Sequence, residues 1–285
     1  MNKLFNNMLV RVYSSNELRS ITQRAVEIAG KLQCNIYVLF IIKEAKFFGP
    51  GKHPFFRLGQ NKPDQFEQEI EFLNNQQDGY EEAYPSLFFQ YSIRKEKSLN
   101  DTISYCLKQD IDLILFFEKR HMSFGNVRKK IAINRLATKV DCPVLNVNCH
   151  AGSFNFKSII LPINSFLPLR QLMFASYIGK LFHSKIHLIS LNGNNKLHMT
   201  DQAELGSLYK AYHLLLDNTN LPVDCMAISA KNIEEAAFQY AKEINADLVL
   251  LNSDRESFFT GIKKSLHVKS LSYLPNLSVM KVGFL

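Results

Sequence analysis

Apolar residues in this chain fall into two kinds of run. Short continuous runs alternate with stretches in which apolar positions recur every three or four residues. Met8-Leu-Val-Arg-Val12 is a short run of high β-propensity. Leu18, Ile21, Ala25, Ile28, Ala29 and Leu32 then recur at helical spacing, predicting a helix over about 18–32. Asn35 to Ile42 is a continuous apolar run, the pattern of a strand buried on both faces. A polar helix is predicted over about 64–84 and a strand over Leu87–Ile93. The next helix follows the cap residues Ser98 to Asp101, with Ile103 and Leu107 on its inward face. Strands are predicted from Asp112 and over Pro143–Val147.

The series then restarts. Ser158–Ile163 reads as a strand, Leu169–Phe182 as a helix and Lys185–Leu191 as a strand. A helix follows near 201–217, a strand over Val223–Ile228, a helix over about 233–244, and strands from Asp247 and Leu277. Asp112-Leu-Ile-Leu returns as Asp247-Leu-Val-Leu. Asp112 to Val144 and Asp247 to Val279 both span 32 positions. A period this long is no solenoid; it indicates two copies of one domain. The expected boundaries are 1–150, with an insertion over about 43–85, and 151–285. The offset between copies is 151 at Tyr13 and Asn164 but 135 at Asp112 and Asp247, so the first copy carries 16 extra residues in its middle. That middle includes Phe47-Phe-Gly-Pro-Gly-Lys-His-Pro-Phe-Phe56, read as a loop whose aromatics cover a domain edge or a partner.

Strands alternating with helices predict an α/β protein: two tandem, doubly wound, parallel-sheet domains of the Rossmann-like type, five strands each. In such sheets ligands sit beyond the carboxyl ends of the strands, where the strand order reverses. Asp112 and Asp247 begin their strands at the opposite end and are read as structural acceptors of backbone N–H groups.

Composition narrows the function classes. The chain has 285 residues, 46% hydrophobic and 21% charged. No apolar run approaches the ~18 residues a membrane span needs, and Met1 to Asn7 lacks the apolar core of a secretory signal. The five cysteines are scattered and form no CxxC, which suits reduced, mainly buried thiols in a cytoplasmic chain. A net charge of +8 suits an anionic partner. The Lys and Arg residues are nevertheless spread out, so nucleic acid is not expected as that partner. No GxSxG, P-loop or HExxH motif is present. His183 and His187 straddle a predicted helix-to-strand junction, not one helical face, so no metal site is expected.

Three features together resemble the universal stress protein family in its tandem form: Ile160-Leu-Pro-Ile-Asn164, the Asp-Leu-Ile/Val-Leu strands, and Cys142-Pro-Val-Leu-Asn-Val147. The resemblance covers nearly the whole chain. It implies an adenine-nucleotide hydrolase-like fold and, in nucleotide-binding members, an Asp ending the first strand and a G-x2-G-x9-G-[ST] loop after the fourth. The glycines let backbone N–H groups approach phosphate. Here Phe117, Arg120, Lys130 and Ile131 fall on those positions in the first copy, and Asn252, Arg255, Ser265 and Leu266 in the second. The strand-end Asp becomes Tyr13 and Asn164. A side chain at a close-approach glycine fills the space of a phosphate. The resemblance therefore implies a non-catalytic regulator acting through a protein partner or self-association, with no cofactor. The alternative is an ATP- or anion-binding sensor in the second copy, using Pro162, Asn164, Asn252, Arg255 and Ser265, with basic side chains such as Lys263 and Lys264 nearby. Weak ATP hydrolysis is the third reading. The family's last strand commonly pairs across a dimer, so Val144–Val147 and Val279–Val282 are expected to meet within one chain as a pseudo-dimer.

Overall fold

The computed structural model describes residues 3–12, 15–42, 63–95, 99–118, 135–148, 154–191, 199–253 and 277–283. By compactness the chain divides into Phe5–Leu115 and a second unit made of Met1–Leu4 with Phe116–Leu285.

The first unit holds β1 (Asn7–Val12), α1 (Ser15–Leu32), β2 (Asn35–Ile42), α2 (Pro63–Ala83), β3 (Phe89–Lys95), α3 (Leu99–Lys108) and the first residues of β4 (Leu113–Glu118). Its strands run in the order β3-β2-β1-β4, all parallel. All six apolar positions that predicted α1 are buried, so the helix exists because one face covers the sheet. Strand β1 is buried on both faces: Met8, Leu9, Val10 and Val12 expose nothing.

Two local readings change. Strand β3 begins at Phe89, two residues later than expected, because Leu87 lies in the turn whose N–H bonds the Tyr84 carbonyl. In α3 the buried face is Thr102, Tyr105 and Cys106, whereas Leu107 is 60% exposed. Buried Tyr105 and Cys106 set the helix rotation, and Leu107 follows it outward.

The second unit carries β5 (Val144–Asn148), β6 (Ser158–Pro162), α4 (Leu169–Phe182), β7 (Lys185–Leu191), α5 (Met199–Asn218), β8 (Val223–Ile228), α6 (Ile233–Glu243), β9 (Leu248–Ser253) and β10 (Ser278–Gly283). Its strand order is β5-β10-β9-β6-β7-β8. Every pair is parallel except β5 with β10, which run antiparallel with Val279 opposite Asn146, Met280 opposite Leu145 and Lys281 opposite Val144. The expected meeting of the two last strands is thus present. Helix α6 packs Ala236, Ala237 and Ala241 onto Ile160, Ile189 and Val249; the small side chains let helix and sheet approach closely. Its N-terminus is capped by Asn232, whose Oδ1 accepts the Glu235 N–H at 2.9 Å.

The same turns recur in both units. Helices α1 and α4 each end on a left-handed residue, Gln33 (φ 58°) and His183 (φ 52°). The N–H groups of Cys34 and Ser184 then close onto the carbonyls of Ala29 and Gly179. Asp110 (φ 47°) and Asn245 (φ 51°) play the same part after α3 and α6.

Candidate functional site

The topological switch point of the second unit lies between β6 and β9. Their ladder pairs only Ile159 with Leu248 and Ile160 with Val249. Beyond these pairs β6 stays bonded to β7, with Pro162 opposite Ile189. Strand β9 stays bonded to β10, with Asn252 opposite Val282. The two strands therefore part toward their carboxyl ends, the place where an α/β sheet holds a ligand.

Three of the expected site residues stand on the margins of this opening. Half-buried Pro162 ends β6, half-buried Asn164 follows two residues on, and half-buried Asn252 lies one residue before the end of β9. Arg255 and Ser265 lie outside the described residues, as do Tyr13, the basic positions 119–130 and 263–264, and the aromatic stretch 47–56.

Several polar groups of this margin are engaged with the chain itself. Asn164 Oδ1 accepts the Phe166 N–H at 3.4 Å, and Ser207 Oγ of α5 donates to the Ser165 carbonyl at 3.0 Å. The Ile163 N–H bonds the Ile189 carbonyl at 2.7 Å. Pro168, at the N-cap of α4, offers no side-chain cap. Ser190, next to the last residue of β7, is buried, and its Oγ has no hydrogen-bond partner among the described residues.

A second polar cluster lies toward the amino ends of β7 and β8. His187 is buried, and its Nδ1 is 3.2 Å from Tyr240 Oη of α6 and 3.9 Å from Asp224 Oδ2 of β8. The same Asp224 oxygen pairs with Lys185 Nζ at 2.5 Å. Burial lowers the His187 pKa, the Asp224 charge opposes that shift, and Lys185 adds to it. Burial, and then the Asp224 charge, raise the Tyr240 hydroxyl. His183, by contrast, is the exposed cap of α4. No group of three metal-ligating side chains exists among the described residues.

Sequence patterning missed this cluster, because His187, Asp224 and Tyr240 sit on three elements and share no local spacing. It also missed Arg11. That residue stood inside an apolar run, yet it is a buried cation in β1 whose charge acts on Cys106 of α3. Burial pushes the Cys106 thiol up to about 12 despite that charge. Cys34, Cys106 and Cys142 are buried and form no disulfide among the described residues, whereas Cys225 is exposed because β8 is an edge strand.

A doubly wound α/β sheet whose strands β6 and β9 part toward their carboxyl ends defines a Rossmann-like module. No protein-family model matches the sequence, and no curated protein matches it. Solved structures do. A universal stress protein from Archaeoglobus fulgidus DSM 4304 superposes with a TM-score of 0.62 at 16% identity, over 98% of this chain and 96% of that one. A protein of the same description from Pseudomonas aeruginosa UCBPP-PA14 gives 0.60 at 14% identity, over 99% and 94%. The cytoplasmic domain of a prokaryotic cation chloride cotransporter gives 0.57 at 13% identity, over 97% and 95%. The fold is that of universal stress proteins whose single chain is as long as this one. Among the described residues no helix is long and apolar enough to cross a membrane.

Proposed function

We propose that this chain is a non-catalytic regulator of the universal stress type, built from two tandem copies, that works through protein–protein contact and has lost ATP binding. The observation that carries the reading is the pair Phe117 and Asn252. Both stand in strand conformation near the carboxyl ends of β4 and β9, where nucleotide-binding members of the family carry the first glycine of their phosphate loop. A Cβ and the atoms beyond it occupy the volume that glycine leaves for a phosphate. Asn164, at the position of the family's strand-end Asp, is tied to Phe166. We read the antiparallel β5–β10 ladder as the internal counterpart of the family's dimer contact: it pairs two strand edges that would otherwise stay open. Cysteines that form no disulfide among the described residues suit the cytoplasm, where we place the protein.

A second reading, an anion or nucleotide sensor in the second copy, draws on Ser190, whose buried hydroxyl beside the strand ends has no partner among the described residues. One experiment separates the two. The purified protein is denatured and the supernatant examined for nucleotide by chromatography and mass spectrometry; a melting curve with added ATP and magnesium runs in parallel. An empty supernatant and an unmoved melting curve are expected. Stoichiometric ATP, ADP or AMP overturns the first reading and selects Asn164, Asn252 and Ser265 for substitution. ATP turnover above that of a mock preparation assigns an enzyme.

A further inference from the structure

Helix α5 (Met199–Asn218) packs on β7 and β8 through Ser207, Ala211 and Leu215, all buried. Its opposite face is apolar too. Leu205 is 57% exposed, Tyr209 65% and Leu216 42%, and Tyr212 is half-exposed between them. These four residues are spaced by four, three and four positions. That is the spacing of a seam that packs against another helix. The equivalent helix of the first unit, α2, exposes Glu71, Asp78, Glu81 and Glu82 instead. An outward face is therefore polar where nothing covers it, and the face of α5 departs from that.

We propose that this seam is the contact surface for a second copy of the chain, with the two α5 helices antiparallel about a twofold axis. The sequence of the seam carries the choice of occupant. Leu205, Tyr209, Tyr212 and Leu216 read the same in both directions with the same spacings. A twofold-related antiparallel copy thus sets Leu205 against Leu216 and Tyr209 against Tyr212 of its partner, as an isologous interface requires. No seam position bears a charge, so none is desolvated. The His213 ring packs beside both tyrosines, 4.2 Å from Tyr209 and 5.6 Å from Tyr212, a contact that restricts their side-chain freedom before any partner binds. One seam of four side chains buries less than the ~1,200 Å² of a stable interface, which makes the dimer reversible and concentration-dependent. Two chains of net charge +8 repel, so salt strengthens the dimer. An acidic partner helix would show the reverse dependence. The proposal stands whether or not the crevice binds nucleotide.

The test is analytical ultracentrifugation of the full chain from micromolar to near-millimolar concentration at low and high salt. A monomer–dimer equilibrium that tightens with salt is expected. Tyr209→Lys and Leu205→Glu, each checked for a wild-type circular dichroism spectrum, are expected to weaken it at least about tenfold. In a Cys225→Ser background, oxidising a mixture of Tyr209→Cys and Tyr212→Cys chains is expected to link the two variants to each other in preference to themselves, above the level of the background chain. A monomer throughout the range, a dimer indifferent to both substitutions, a dimer weakened by salt, or a preference for like-with-like links overturns the proposal.

Discussion

Asp247 accepts the backbone N–H of Ser158 at 2.9 Å, and in the first unit Asp112 accepts that of Asn7 at 3.0 Å. Each carboxylate stands just before a strand, β4 or β9, and ties it to the start of a neighbouring strand, β1 or β6, at the amino ends of the strands. Asp112 also takes the Asn6 N–H at 2.7 Å, as Asp247 takes that of Lys157. The two aspartates that mark the repeat in the sequence are thus the same structural bond made twice. Replacing either with Ala is expected to cost about 1–3 kcal/mol, read as a lowered urea midpoint.

The same aspartates predict a pH effect. Burial raises both carboxyl pKa values, although the backbone N–H groups pull them back. A raised native pKa means the folded chain holds the proton more tightly than the unfolded one. This contribution is complete below the ordinary value of 3.8 and is lost as pH rises through the native pKa. The stability of the wild type relative to Asp247→Asn is therefore expected to decline as pH rises above 3.8. A difference that grows over that range would contradict the raised pKa.

His187 gives the opposite sign. Its pKa lies below the ordinary 6.5, chiefly because it is buried. The unfolded chain therefore takes up the proton first, and stability present above pH 6.5 is lost as pH falls toward the native pKa. The charged and titratable groups facing the ring are Asp224 of β8, Tyr240 of α6 and Lys185 of its own strand. Only Asp224 favours the imidazolium, and Lys185 already holds that carboxylate. Between about pH 8 and pH 5, the wild type is expected to lose more stability than His187→Asn. Equal slopes in urea titrations of the two proteins would remove His187 as the cause.

Arg170 of α4 donates to Asp141 Oδ1 at 2.6 Å, to the Asp141 carbonyl at 2.9 Å and to the Gly283 carbonyl at 3.3 Å. The Asp141 side chain is 64% exposed, so its ion pair is weak, about 0–1 kcal/mol. The two carbonyls have more to lose. Arg170→Ala is expected to lower stability by about 1–3 kcal/mol, and Asp141→Ala by less, because it leaves both carbonyl bonds in place. Equal losses in thermal unfolding would show that the carboxylate, not the carbonyls, holds the guanidinium.

Gly283 predicts a steric effect. A Cβ there would stand 2.9 Å from the Ala137 carbonyl oxygen, and backbone does not swing aside as a side-chain tip does. Gly283→Ala is expected to cost about 1–3 kcal/mol. Gly179→Ala meets only the end of the Leu221 side chain, at 2.6 Å, so its loss in the same unfolding assay is expected to be smaller.

The sequence by itself determined the order and type of the elements. Hydrophobic spacing is a local property, and strands such as Asn35–Ile42, Lys185–Leu191 and Val223–Ile228 begin and end where that spacing does. It also determined that Asp112 and Asp247 are structural, since their place ahead of a strand puts them at the end opposite the crevice. Pro162, Asn164 and Asn252 fall near the carboxyl ends of β6 and β9 for the same reason: position along a strand fixes which end of the sheet a residue joins. Tertiary structure alone decided which apolar faces are covered. Leu107 is turned outward because Tyr105 and Cys106 take the inner face of α3, and Cys225 is exposed because β8 lies at the edge of the sheet. His187, Tyr240 and Asp224 became one cluster only when strand order set β7 beside β8 and laid α6 across them. The Leu205–Leu216 seam has helical spacing that reads as core. Only the folded sheet, by taking Ser207, Ala211 and Leu215 instead, leaves it facing water.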